Sequence, residues 1–165
     1  MTTTTVQGTR SGTVENQLNI GSWLMAIAAV GFIGYGVIFF FVNFSDSFLE
    51  LGIGPEQVDV GKAEISAFSP SLFHYISHLH IAVSGFIAAT GLAVLLMVVY
   101  GVRRRQLWAW VGAVAAPVLG LAVALPAHYP NNFDTLGHLG LIYLATAIFV
   151  IGALLTLPAV KRGQS

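Results

Sequence analysis

Cysteine is absent from this chain. That excludes disulfides, thiolate metal sites and iron–sulfur clusters, and it removes any argument about redox compartment. Charge is nearly as scarce. Charged residues make up 8% of the sequence, against about 25% in an ordinary soluble domain. Seven basic and seven acidic residues cancel to a formal net charge of zero, so no basic field exists to hold nucleic acid. There is no Gly-rich phosphate loop, nucleophile elbow or HExxH motif. Ser71, Ser77 and Ser84 lie near histidines, but no strained turn or third partner would activate one of them as a nucleophile. Hydrophobic residues fill the space, at 56% of the 165 positions and a mean hydropathy of +0.80. One membrane domain is the expected organisation.

Residues 1–20 are polar and Thr-rich, with Arg10 and Glu15, and read as a disordered cytoplasmic tail. They do not read as a signal peptide, because no basic run leads into the apolar stretch and no small-residue cleavage site follows. Four apolar spans then run over about residues 23–44, 72–102, 107–127 and 135–157. Some 20 residues at 1.5 Å each cross a hydrocarbon core of about 30 Å. The expected fold is an all-α integral membrane protein of four transmembrane helices, for which two repeated helical hairpins are one arrangement. Gly31, Gly34 and Gly36 offer small residues for close packing of the first span. Residues 45–69 form the one sizeable loop, with Asp46, Glu50, Glu56, Asp59, Lys62 and Glu64 as a solvated face and room for a short helix. Ser69-Pro70 is a helix start. Pro117 and Gly120 predict a kink in the third span. Residues 161–165 form a second cytoplasmic tail.

The basic residues predict the topology. With the N-terminus inside, Arg10, Arg103, Arg104, Arg105, Lys161 and Arg162 are cytoplasmic and only Lys62 is outside. Trp23, Trp108 and Trp110 then fall at the inner interface, as an aromatic belt does. The protein is placed in the plasma membrane as a multi-pass chain.

This topology sets all five histidines, His74, His78, His80, His128 and His138, toward the outer face. Residues 70–81 (PSLFHYISHLHI) and 130–141 (PNNFDTLGHLGL) share Pro70/Pro130, Phe73/Phe133, His78/His138 and Leu79/Leu139. His74 and His78 are helical i,i+4 neighbours, and so are Asp134 and His138. His80 is turned about 200° from His78 and faces elsewhere. Hairpins related by an axis along the membrane normal would bring His74, His78, Asp134 and His138 together between the second and fourth spans. Three imidazoles and a carboxylate suit copper, zinc or iron. Alternatively, His78 and His138 alone could ligate haem b axially. His80 and His128 are the weakest members of the set. A structural reading stands beside these, with interfacial histidines hydrogen-bonded in place and Asp134 capping the fourth helix.

Two short resemblances add context. Arg103-Arg104-Arg105 followed by Leu107-Trp108-Ala109-Trp110 resembles the inner loop of small bacterial four-span membrane proteins of uncharacterised activity. It implies an inner-membrane protein and carries no activity. The Asp134-x-x-x-His138 spacing is similar to a copper-site motif of membrane copper monooxygenases, which implies copper as one candidate. The leading expectation is a small subunit of a redox complex that binds a transition metal or haem through His74, His78, Asp134 and His138. Its partners would be the lipid bilayer and either other membrane subunits or further copies of itself, with no nucleic acid. Two alternatives are a non-catalytic accessory or assembly subunit of a larger membrane complex, and a small proton-coupled transporter.

Overall fold

The computed structural model describes residues 3–45 and 52–163. Among these the chain is helical, with no strand. In order come α1 (Thr3–Val42), α2 (Pro55–Val58), α3 (Lys62–Phe68), α4 (Pro70–Tyr100), α5 (Leu107–Ala124) and α6 (Leu136–Arg162). Of the described helices, α1, α4, α5 and α6 are long and apolar enough to cross a membrane. Their regular backbone satisfies its own hydrogen bonds, as a segment in lipid must. Short 3-10 turns, Val102–Arg104 after α4 and Leu125–His128 and Pro130–Asn132 after α5, make the tight connections. Asp46, Leu49, Glu50 and Leu51 of the long loop lie outside the described residues.

Local chemistry sets the boundaries. Ser69 Oγ accepts from the Leu72 N–H at 3.2 Å, and Pro70 is the first helical residue of α4. Thr135, rather than Asp134, caps α6, its Oγ1 accepting from the His138 N–H at 3.2 Å. At its other end the chain departs from the expected tail. Val14 and Leu18 are buried, and the Glu15 carboxylate pairs with Arg105. These contacts hold in a helix a stretch that composition alone assigns to a tail.

α1 is the central helix, packed against both α4 and α6, with no comparable packing of α4 on α6 among the described residues. Small residues permit these approaches. A Cβ on Gly21 would lie 2.7 Å from the Gly152 carbonyl oxygen of α6, and one on Gly36 would lie 2.7 Å from that of Ser84 in α4. Gly91 of α4 rests in the same way on Ala29 and Ile33 of α1. Of the three glycines expected to pack, only Gly36 does so, since a Cβ on Gly31 or Gly34 would meet nothing within 4 Å.

The bundle has two unlike ends. At the basic end, near Arg103–Arg105 and the close of α6, Met25, Val98, Val102, Ala109, Ala113 and Val160 are fully buried. The Trp110 Nε1–H donates to the Ala153 carbonyl at 3.2 Å and to Thr156 Oγ1 at 3.1 Å, tying α5 to α6. The Arg103 guanidinium lies 5.2 Å from the Trp23 ring. At the histidine end, Lys62 Nζ donates to the carbonyls of Asn43 at 3.1 Å and Ser45 at 2.6 Å, just past the close of α1. There a cation meets the negative end of the helix dipole. The buried Asn43 amide and Ser77 hydroxyl bond reciprocally, at 2.9 and 3.1 Å, and join α1 to α4. Gly52 (φ +75°) lies against Gly137 and accepts from Thr135 Oγ1 at 3.3 Å. Both its left-handed backbone and the missing space for a Cβ require glycine there.

Candidate functional site

The site begins with what α5 does after Ala113. Up to that residue α5 is anchored, with Gly112 against Met97 and Trp110 bonded to α6. Beyond Ala113 no residue of α5 is buried. The change coincides with Pro117, which has no N–H to donate to the Ala113 carbonyl. The second half of α5 stands off the bundle, and a cavity of about 400 Å³ lies between it and α1, α4 and α6.

The walls are apolar and rich in aromatic rings. Phe32, Tyr35 and Phe39 come from α1, Phe86 from α4 and Phe149 from α6. Thr90 and Thr146 also line the cavity, but their hydroxyls donate to the Phe86 carbonyl at 2.8 Å and the Ile142 carbonyl at 2.7 Å of their own helices. No Lys, Arg, Asp or Glu is among the described lining residues. α4 and α6 supply separate walls of this space.

His128 and His138 line the cavity where α5 turns into α6. Their rings pack with centroids 4.9 Å apart and planes tilted by 33°. His138 is 3% exposed. His128 Nδ1 lies 2.8 Å from the Ala124 carbonyl oxygen. A carbonyl only accepts, so Nδ1 carries the hydrogen and the neutral ring keeps its lone pair on Nε2. One residue on, the Tyr129 hydroxyl approaches that of Tyr143 at 3.3 Å, a second link between the turn and α6.

The expected site residues are distributed differently. His74 and His78 are exposed on α4, and Asp134 is exposed ahead of α6. Among the described residues no three His, Asp or Glu side chains converge in a group that could hold a metal ion. His78 lies two turns into α4, whereas His138 sits in the first turn of α6, because Pro130 opens a 3-10 turn where Pro70 opens a helix. His80 is half-buried, edge-on to the cavity residue Phe39 at 5.4 Å.

His128, which packs on His138, is one of the two histidines the sequence ranks low. The available signal was the short, Pro-bounded connection between the third and fourth spans. A tight turn must bring the last turn of one helix against the first turn of the next. No protein-family model matches this chain, and comparison with characterised proteins and with solved structures finds no match.

Proposed function

We propose that this protein is a multi-pass plasma-membrane subunit that holds a membrane-soluble organic ligand in the cavity behind α5, with the ligand's polar end at His128 and His138. Both termini would be cytoplasmic, which puts the histidine end outward. Labelling of single cysteines at Ala63→Cys and Ser165→Cys by an impermeant maleimide tests this orientation, and reagent reaching only Ser165→Cys in intact cells would reverse it. The carrying observation is an aromatic-lined cavity of about 400 Å³ whose few polar lining residues, Tyr35, Thr90 and Thr146, are joined by the packed pair His128 and His138. Binding sites for small organic molecules have this character, an apolar body with few convergent polar groups, at roughly 300–1,000 Å³. The expected redox setting fits such a ligand, because lipid-soluble carriers reach a site from within the bilayer.

A metal or haem held by His78 and His138 is the rival reading. It needs donors from α4 and α6 to meet, whereas His138 lines the cavity and His78 is exposed on α4 outside the described lining. One purified sample separates the two. Organic extraction and mass spectrometry should find an amphiphile enriched over the bulk lipid. Leu121→Trp, which fills the cavity from α5, should abolish the enrichment. An extract matching bulk membrane in both proteins sinks the proposal. Stoichiometric metal or a Soret band in the same sample favours the rival.

A further inference from the structure

The cavity contains more information than its volume, and this inference rests on the ligand-binding reading above. Among the described residues its lining has no fixed charge, so a carboxylate or phosphate head would be desolvated without a permanent partner among them. Thr90 and Thr146 spend their hydrogens on their own helices. With its Nδ1–H committed to the Ala124 carbonyl, a His128 ring carrying one proton offers an acceptor at Nε2. A neutral hydroxyl on the ligand, which donates, matches the acceptor at His128 Nε2, with the Tyr35 hydroxyl as a further polar group of the lining. The many rings in the wall favour a flat aromatic body, which packs edge-on or offset against them.

Size adds a further constraint. An apolar cavity of about 150 Å³ takes one benzene. About 400 Å³ therefore takes a substituted ring and a short stretch of chain. Anything longer must leave through the wall. The lining residues Phe86, Val118 and Val150 are themselves open to the surroundings, Phe86 at 74% exposure. A tail leaving there enters the hydrocarbon of the bilayer.

We infer that the ligand is a hydroxyl-bearing aromatic ring with an apolar tail, a quinol in chemical class, whose hydroxyl donates to His128 Nε2 and whose tail leaves the bundle beside Phe86. Calorimetric titration of the full chain in nanodiscs tests this with decyl-benzoquinol, its dimethyl ether and myristate. The quinol should bind about tenfold more tightly than the ether, the worth of one well-made hydrogen bond. His128→Phe keeps a ring against His138 and removes the acceptor, so it should lower quinol affinity to that of the ether and leave the ether unchanged. Affinity should rise from a methyl to a pentyl tail and then level off at decyl.

Equal binding of quinol and ether by the unaltered protein overturns the hydroxyl assignment, and tighter binding of myristate overturns the neutral class. Both of those results leave the cavity as a ligand site. Failure of all three probes to bind overturns this inference, while the proposed function stands or falls on the extraction test.

Discussion

The two ends of this bundle are built from the same four long helices, yet one is packed and the other hollow. At the basic end, backbone meets backbone at Gly21 and Gly152, and Thr156 is wholly buried under the Trp110 indole. At the histidine end, α5 stands away beyond Pro117 and leaves about 400 Å³. If that volume were empty and sealed, the cost would be about 10 kcal/mol at roughly 24 cal/mol per Å³. That equals the whole stability of a typical domain. The space is open beside Phe86 rather than sealed, so lipid chains or a ligand can fill it. α1 is held against its neighbours at both ends, through Gly21 and Gly152 at one and through Gly36 with Ser84 and Asn43 with Ser77 at the other, and the difference lies in α5, whose buried residues are all toward the basic end.

The largest test of that difference is at the glycines. A Cβ on Gly152 would lie 2.6 Å from the Gly21 carbonyl oxygen, and backbone cannot swing aside as a side chain can. Gly152→Leu should separate α1 from α6 and cost at least about 3 kcal/mol, the upper range of overpacking. Gly120→Leu on the free half of α5 meets open space, and it should leave the unfolding midpoint in detergent unchanged or raised, since Gly is a poor helix former. Equal losses from the two variants would erase the distinction between the ends.

A second, smaller contrast concerns polar groups in apolar surroundings. Trp110→Phe removes the link from α5 to Ala153 and Thr156 and should cost about 1 kcal/mol, in line with hydrogen bonds between membrane helices. Thr146→Val removes a hydroxyl that bonds only within its own helix and should cost less than about 0.5 kcal/mol. Chemical denaturation of both variants measures the difference. A larger loss from Thr146→Val would mean that the hollow end depends on polar contacts as much as the packed end does.

These contrasts also show what the sequence could and could not reveal. Four spans were legible because apolar length is a property of each segment alone, and Ser69-Pro70 was legible because a cap is local. Packing partners were not. Gly31, Gly34 and Gly36 look alike in sequence, and only the direction of α4 selects Gly36. The i,i+4 spacing of His74 and His78 correctly puts them near one face, but spacing cannot say that the face is exposed. His128 and His138 share no helical period. A turn joins them, and their pairing depends on the angle at which α5 returns. Asn43 drew no expectation from the sequence, because its bond to Ser77 depends on how α1 crosses α4.

The smallest expected effect belongs to the ion pair at the packed end. Glu15 is the one acidic residue near the basic cluster, and its carboxylate meets Arg105, whose own backbone is left-handed (φ 59°) at the close of the 3-10 turn. Both side chains remain substantially exposed, at 37% for Arg105 and 56% for Glu15, so solvent and salt screen their attraction. A double-mutant cycle of Glu15→Gln and Arg105→Gln should give a coupling of about 0–1 kcal/mol, shrinking as salt is raised. The apolar contacts of Val14 and Leu18, rather than the charges, would then anchor the start of α1. A coupling of about 3 kcal/mol that persists in high salt would reverse that order. It would mean that the pair is shielded from water at the bilayer surface and that electrostatics, as well as backbone packing, closes the basic end.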